Sequence, residues 1–188
     1  SDNNVSEKAE SAKAVEASET ATTTVAVDGV SDTKSAGIPD LYSALTGTAI
    51  PLSQVNDVTF ASEVLGKGIA VIPEKGEVVA PCDATVETVF DTKHAVGMST
   101  ESGVELLIHI GINTVELGGK YYTTHVKDGD QVKKGQLLVS FDMDKIKEAG
   151  YDVTTPLIVT NSDDYRDVKI LHEGMVTPED KVLEIVKE

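Results

Sequence analysis

The chain has 188 residues, of which 40% are hydrophobic, and it carries a formal net charge of −16. This composition supports a sizeable core but argues against nucleic acid or an anionic membrane surface as partner, because phosphate-rich surfaces select for basic patches. The single cysteine, Cys82, excludes an intrachain disulfide and a cysteine-based zinc cluster. Since no apolar run approaches the roughly 20 residues of a membrane span and nothing resembles a signal peptide, we expect a cytoplasmic chain without direct membrane insertion.

The first 37 residues differ in composition from the rest of the chain. They contain no aromatic residue, Leu, Ile or Met, and they are rich in Ala, Ser, Thr and Glu. A segment of this kind cannot bury enough apolar surface to order itself. We therefore expect residues 1–37 to be a flexible linker and residues 38–188 to form the folded domain. The alternative is that the segment is a dispensable N-terminal extension.

Short β-prone runs recur between turn signals from Ile38 onward. They span residues 41–45, 47–52, 67–73, 77–81, 84–90, 94–99, 104–112, 136–141, 155–161 and 167–171. This density of short strands predicts an all-β sandwich or barrel. One or two short helices are expected near residues 57–65 and 143–149, the second with Asp142 as its cap and Gly150 as its stop.

The stretch ELLIHIGINTVELGG, residues 105–119, predicts a strand that is apolar except for one histidine. Alternate side chains of a strand point to opposite faces. One face is uniformly apolar and is expected in the core; it carries Leu106, Ile108, Ile110 and Ile112. The other face is mixed, and on it Gly111 leaves open space beside His109. We therefore expect that the imidazole of His109 need not be buried.

A second histidine, His94, precedes His109 by fifteen residues, and the turn sequence TESG, residues 100–103, lies between them. If the two central residues of this sequence form the tip of a hairpin, the two histidines lie directly opposite one another. A bulge at Gly103 would shift the pairing by one residue. Thr92 shares the parity of His94 and hence its face. Two imidazoles and one hydroxyl are therefore expected to converge.

Three interpretations of this convergence remain open. The histidines can be a structural pair on a sandwich surface. They can be metal ligands. A zinc peptidase, however, needs three protein ligands, and the sequence has no H-x-H or H-E-x-x-H motif and no carboxylate that is an evident third ligand. They can also catalyse a group transfer, in which one imidazole accepts a phosphoryl group and the other donates hydrogen bonds to it.

Four segments resemble the glucose-type enzyme IIA domain of the bacterial sugar phosphotransferase system. They are GKGIAVIP, VVAPCDATVETVF, DTKHAVGMSTESGVELLIHIGINTVELGG and DGDQVKKGQLLVSFD, and the resemblance runs from about Leu41 to the C-terminus. It implies an antiparallel β-sandwich of two interlocked, similar motifs, of the duplicated hybrid motif type. It also implies a phosphotransferase component that needs no cofactor. Such a component carries phosphate from the histidine-phosphorylated carrier HPr to a cysteine on a IIB domain, and the N-terminal linker would join it to IIB and IIC domains.

The resemblance also implies roles for five residues. His109 would be the phosphoryl acceptor through Nε2, His94 would contact the phosphoryl group, and Thr92 would orient His94. Gly111 matches the family glycine beside the acceptor. Asn113 stands where the family usually has Asp, so an electrostatic role of that carboxylate is in doubt.

An apolar docking rim for partner proteins is implied in the same way, although each of its residues could equally be plain core. The rim maps to Val58, Phe60, Val64, Leu65, Phe90, Leu107 and Val115. No metal is required for the expected activity, but two adjacent imidazoles could capture a stray zinc ion.

The remaining candidate residues are interpreted as structural. His125 and His172 have no partner at site spacing, and Cys82 reads as a small core residue. The segment DGDQVKKGQLLVSF also resembles lipoyl and biotinyl carriers, which is the best non-enzymatic alternative. Those carriers need an exposed lysine at a hairpin tip, and the TESG turn has none.

Overall fold

The computed structural model describes residues 37–187. The predicted linker, residues 1–37, therefore lies almost entirely outside the described part of the chain. The described residues form fourteen short strands and two short α-helices. The all-β prediction is confirmed.

The strands follow the predicted runs closely. They are β1 Leu41–Tyr42, β2 Gly47–Pro51, β3 Lys67–Pro73, β4 Glu77–Val79, β5 Ala84–Val89, β6 Ala95–Ser99, β7 Glu105–His109, β8 Tyr122–Thr124, β9 Gln131–Val132, β10 Leu137–Phe141, β11 Thr155–Val159, β12 Asp167–Ile170, β13 Gly174–Val176 and β14 Lys181–Val186. All ten predicted runs contain a strand. Four strands lie outside the predicted runs. Of these, β8, β9 and β13 are too short to show alternation, whereas β14 does carry an alternating pattern.

Every strand pairing in the described residues is antiparallel, and the strands form three sheets. The largest has eight strands in the order β13-β2-β3-β11-β7-β6-β5-β9, and two three-stranded sheets have the orders β1-β14-β12 and β4-β10-β8. The strand that ends at His109, β7, lies between β11 and β6 in the middle of the largest sheet. An interior strand of this kind has hydrogen-bonded neighbours on both sides, so it is a rigid support.

The strand β7 is buried on both faces. Leu106 and Ile108 belong to the main core, and Leu107 packs with Phe90 and Ala95 in a smaller cluster on the other side. The second face is mixed in composition as predicted, but the expectation that it is partly open is wrong. The alternation rule assigned the faces of β7 correctly, but the second face is covered by other parts of the chain.

The β6–β7 hairpin has a register one residue away from direct opposition of the two histidines. Ala95 lies opposite His109. The cause is a three-residue loop: the Thr100 N–H donates to the Val104 carbonyl at 2.9 Å, and Gly103 adopts a φ of +96°. The prediction of direct opposition is wrong, and the one-residue shift at Gly103, its stated alternative, is what occurs.

The two helices are α1, Val58–Ala61, and α2, Met143–Glu148. Both begin at an aspartate whose carboxylate accepts a backbone N–H: Asp57 caps α1 at 2.8 Å and Asp142 caps α2 at 3.1 Å. The predicted cap of α2 is thus confirmed, while α1 ends earlier than expected. None of the helices formed by residues 37–187 has the length and apolar character needed to cross a membrane.

Candidate functional site

Two different elements bring the histidines together. His109 is the last residue of β7, whereas His94 lies in the turn between β5 and β6. Lys93 in this turn has a left-handed backbone with φ +63°, which redirects the chain just before His94. Strand alternation therefore does not govern the direction of His94. The imidazole centroids are 4.8 Å apart and the ring planes are nearly perpendicular, at 82°.

Each imidazole is oriented by a hydrogen bond at Nδ1. The Nδ1 atom of His109 lies 2.8 Å from the carbonyl oxygen of Gly111. Because a carbonyl oxygen can only accept, this Nδ1 carries the proton and Nε2 is the unprotonated nitrogen of the neutral ring. The Nδ1 atom of His94 lies 2.8 Å from the hydroxyl oxygen of Thr92, which can donate or accept. The Thr92 hydroxyl can therefore donate to Nδ1 while Nε2 of His94 carries a proton.

Gly111 provides the carbonyl that orients His109. Its φ is +90°, a conformation that glycine adopts readily, and a Cβ at this position would lie 2.6 Å from Cγ2 of Thr114. The predicted open space beside the imidazole is therefore filled by Thr114, and that prediction is wrong. The glycine is needed because the backbone turns and packs tightly here.

Two phenylalanines cover the histidine pair. The ring of Phe60, from α1, lies 4.9 Å from the ring of His109. The ring of Phe90 lies 5.6 Å from the ring of His94 in an edge-on arrangement. The exposed fractions of His94 and His109 are 0% and 1%. The two imidazoles are buried beside apolar rings, so the expectation of an open, surface-accessible imidazole does not hold in this structure.

The residues of the predicted docking rim divide into three groups by exposure. Val58 and Val64 are exposed, at 77% and 58%. Leu65 and Val115 are half-buried. The other three, Phe60, Phe90 and Leu107, are buried. In this closed arrangement the apolar surface that a partner could contact consists mainly of Val58 and Val64, which flank Phe60 in the sequence.

Asn113 lies beside the site in a left-handed conformation, with φ +61°, which asparagine tolerates better than most residues. It precedes a 3₁₀ turn, Thr114–Leu117, and its side chain does not cap that turn. The residue therefore fits the backbone of the site, and its neutral amide adds no charge to it.

Two residues that sequence analysis missed, Thr114 and Tyr122, support the backbone next to His109. The hydroxyls of both donate to the carbonyl of Ile110, each at 2.7 Å. Thr114 directly follows the site segment and could have been noticed there. Tyr122 lies on β8 in another sheet, and no local pattern links it to the histidines.

The other singled-out residues lie away from the histidine pair. His125 contacts the Ser140 hydroxyl through Nε2 at 2.9 Å, and His172 contacts the Met175 carbonyl through Nε2 at 3.0 Å. Cys82 is a core residue, and its burial, with a smaller contribution from the Asp83 carboxylate, raises the pKa of the thiol to about 12. Within residues 37–187 no group of three or more His, Cys, Asp or Glu side chains could hold a metal ion.

Parts of this sequence are similar to those of known proteins. A sequence model of the family described as phosphoenolpyruvate-dependent sugar phosphotransferase system, EIIA 1, matches residues 39–165. The PTS system glucose-specific EIIA component of Oceanobacillus iheyensis is 46% identical over 147 residues, which cover 78% of this chain and 89% of that relative. The PTS system beta-glucoside-specific EIIBCA component of Bacillus subtilis is 48% identical over 143 residues, 76% of this chain but only 24% of that relative. The chain thus matches about a quarter of this longer relative.

A solved structure shares the fold as well. The glucose permease IIA from Mycoplasma capricolum matches with a TM-score of 0.72 and 34% sequence identity, covering 77% of this chain and 94% of that chain. The family match covers more than half of the chain, and the EIIA relative is covered over most of its length. The chain therefore belongs to the EIIA 1 family of the phosphoenolpyruvate-dependent sugar phosphotransferase system.

Proposed function

We propose that this chain is a phosphoryl-carrier domain, a phosphotransferase component whose His109 accepts phosphate from phospho-HPr. It then passes the phosphate to a cysteine of a IIB domain during sugar uptake. The observation that carries the proposal is the hydrogen bond from Nδ1 of His109 to the Gly111 carbonyl, beside a second imidazole. This bond leaves Nε2 as the nucleophilic nitrogen of the ring.

The transfer step needs no external acid or base. The Nε2 lone pair of His109 attacks phosphorus, and the bond between phosphorus and the donor histidine nitrogen breaks, with its electron pair remaining on that nitrogen. The ring of His109 gains positive charge in this step. The Gly111 carbonyl, which accepts from Nδ1, is placed to stabilise that charge.

His94 has a different role, which is to bind the phosphoryl oxygens. With the Thr92 hydroxyl donating to Nδ1, Nε2 of His94 carries a proton that it can donate. The short distance between the two rings places this donor beside a group bonded to His109. Phosphoryl transfer depends mainly on such positioned donors, because negative charge is spread over the oxygens.

The buried position of the histidines serves the carrier function and also requires an opening step. Phe60 and Phe90 keep water away from the rings, which protects a phosphohistidine from hydrolysis. Acceptance requires an in-line approach to Nε2, so the cover must move when HPr docks. The exposed Val58 and Val64 are the proposed first contacts for the partner.

The partner that receives the phosphate is proposed to be a IIB domain of the same permease. The names of the EIIBCA relatives combine B, C and A components in one protein. We propose that residues 1–37 are the linker that joins this domain to such components, which would hold it at the cytoplasmic face of the membrane. The sugar is left open, since the relatives include beta-glucoside-specific and glucose-specific components.

The experiment compares phosphate acceptance from phospho-HPr by His109→Ala, His94→Ala and a matched control, His125→Ala. Phosphate is counted by mass spectrometry at neutral or alkaline pH, because phosphohistidine hydrolyses in acid. We expect no acceptance by His109→Ala, which lacks the bonding nitrogen. His94→Ala loses only hydrogen-bond donation, so transfer should slow by roughly a hundred- to a thousandfold yet remain measurable. His125→Ala should behave as the parent protein.

Two results would contradict this assignment. If His109→Ala gains an acid-labile phosphate while His94→Ala gains none, the roles of the two histidines are reversed. If EDTA abolishes acceptance by the parent protein, acceptance needs a metal ion. A zinc ion bound by His94 and His109 would then be part of the function.

A further inference from the structure

The carbonyl of Ile110, between the acceptor His109 and Gly111, is held by two buried hydroxyls. Oγ1 of Thr114 and Oη of Tyr122 each donate to it at 2.7 Å. Both donors are buried side chains. A buried hydroxyl is costly unless it is hydrogen-bonded, so two of them on one carbonyl indicate a strongly fixed peptide group.

The neighbouring peptide groups are anchored by backbone contacts. The Ile110 N–H donates to the His94 carbonyl at 2.6 Å, and the Ile112 N–H donates to the Asp152 carbonyl at 2.9 Å. The peptide between Ile110 and Gly111 differs in that its carbonyl accepts from two side-chain hydroxyls. Its rotation would change φ of Gly111, and glycine is the residue that resists such rotation least.

The orientation of this peptide determines the protonation pattern of His109. With φ of Gly111 at +90°, the Gly111 carbonyl reaches back to Nδ1 of His109. If φ moves away from this value, the carbonyl leaves Nδ1, and the neutral ring can place its proton on Nε2 instead. That second tautomer has no lone pair at the nitrogen that must attack phosphorus.

We propose that Tyr122 is a positioning residue for the phosphoryl acceptor. Its hydroxyl, together with that of Thr114, holds the Ile110 carbonyl, keeps the Gly111 carbonyl on Nδ1, and so maintains His109 with an unprotonated Nε2. This inference rests on the function proposed above for His109.

The tyrosine is well placed for this task because it comes from a separate sheet. It lies on β8, where it pairs with Phe141 of β10, and the two rings are 6.2 Å apart. Packing thus fixes the ring, and the fixed ring holds the hydroxyl at the Ile110 carbonyl. A phenylalanine would pack in the same place, so the hydroxyl is the part of this residue that the site uses.

The experiment uses Tyr122→Phe, which removes one oxygen and keeps the ring. The ¹⁵N chemical shifts of the His109 ring, recorded by NMR, report its tautomer, and phospho-HPr reports the acceptance rate. We expect a mixture of tautomers in place of a single Nδ1–H form, and acceptance slower by roughly two- to tenfold. The matched control is Tyr151→Phe, which removes a hydroxyl that bonds Glu116; it should change neither readout.

A second pair of variants tests the shared role of the two hydroxyls. Thr114→Val should slow acceptance to a similar extent. Thr114→Ser keeps the hydroxyl, so it should accept phosphate at the rate of the parent protein. The double variant Tyr122→Phe, Thr114→Val leaves the buried carbonyl without either hydroxyl, so its loss should exceed the product of the single losses.

The inference is overturned if Tyr122→Phe lowers thermal stability while the His109 ring shifts and the acceptance rate stay as in the Tyr151→Phe control. Tyr122 would then be a structural residue only. The tautomer measurement does not depend on phosphorylation. A parent protein that takes no phosphate would therefore contradict the proposed function, while the ¹⁵N shifts would still decide the role of Tyr122.

Discussion

The side-chain hydroxyl of Thr92 contacts the imidazole of His94, and we expect it to act on the site through this contact. The hydroxyl oxygen lies 2.8 Å from Nδ1 of His94. A donor at this position favours the tautomer that places the proton on Nε2, where a phosphoryl oxygen can receive it. With a side chain that lacks a hydroxyl at position 92, the neutral ring of His94 could carry its proton on either nitrogen.

Replacement of Thr92 by Val keeps the shape of the side chain and removes the hydroxyl. We expect phosphoryl transfer to slow by roughly two- to tenfold, the usual range for one hydrogen bond, with His109 still the acceptor. Thr92→Ser keeps the hydroxyl and should restore the rate. Rapid-quench kinetics with phospho-HPr would measure both variants, and equal rates for Val and Ser would show that the hydroxyl does not act in transfer.

The side chains of the candidate site could be predicted from the sequence, but the residues that support them could not. The spacing of His94 and His109 around a turn, and Thr92 two residues before His94, predicted the side chains that the structure brings together. The burial of the pair was not predictable, because Phe60 comes from a distant helix. Tyr122 was likewise hidden, since its contact with Ile110 depends on how two sheets pack.

Among the elements, α1 matters most for the site because it supplies the ring that covers His109. It has four residues, Val58–Ala61, and helices this short are not stable by themselves. The Asp57 cap and the packing of Phe60 therefore decide whether the cover stays in place. An element as short as this is well suited to move when a partner binds.

Asp57→Ala removes the cap of α1 and tests this cover. We expect a loss of about 1 kcal/mol in the free energy of unfolding and faster modification of His109 by diethyl pyrocarbonate, mapped by mass spectrometry. The matched control is Asp142→Ala, which removes the equivalent cap of α2, while the rings that contact the histidines come from Phe60 and Phe90. It should lower stability by a similar amount and leave His109 as slow to react as in the parent. Equal reactivity of His109 in the two variants would contradict a covering role for α1.

Most strands could be located from the sequence, but the predicted register of one hairpin was wrong by one residue. The runs of β-prone residues located ten strands, because apolar stretches bounded by Gly and Pro are strong local signals. The register of the β6–β7 hairpin depended on whether Gly103 takes a positive φ, which a single sequence does not reveal. The histidines still meet, because the turn before β6 redirects His94.

For the molecule as a whole, the pairing of β1 with β14 bears on where the folded domain begins. Leu41 of β1 lies opposite Leu183 of β14, so within residues 37–187 the first strand pairs with the last. Both residues are fully buried in the main core. This pairing supports the proposed boundary near residue 38, since β1 is fixed by tertiary contacts and the preceding sequence is poor in large apolar residues.

Limited digestion with trypsin tests this boundary. We expect early cleavage after Lys34 and a resistant fragment of about 150 residues, because proteases act on backbone that is not held in structure. Lys134 is an internal control: it is exposed, but its ammonium lies 4.0 Å from the ring of Tyr42, within the folded unit. The fragment should be identified by intact mass. Cleavage at Lys134 as fast as at Lys34 would contradict a boundary before β1.

The raised pKa of Cys82 bears on the fidelity of the proposed relay. With a pKa of about 12, the thiol is ionised to roughly one part in 10⁵ at neutral pH. The thiolate is the nucleophilic form of cysteine, so this sulfur does not compete for a phosphoryl group. The domain proposed to deliver phosphate to a cysteine of a IIB domain thus carries one cysteine of its own, and burial makes that thiol unreactive. In the proposed relay, burial of Cys82 in the core thus prevents transfer of the phosphoryl group to this thiol.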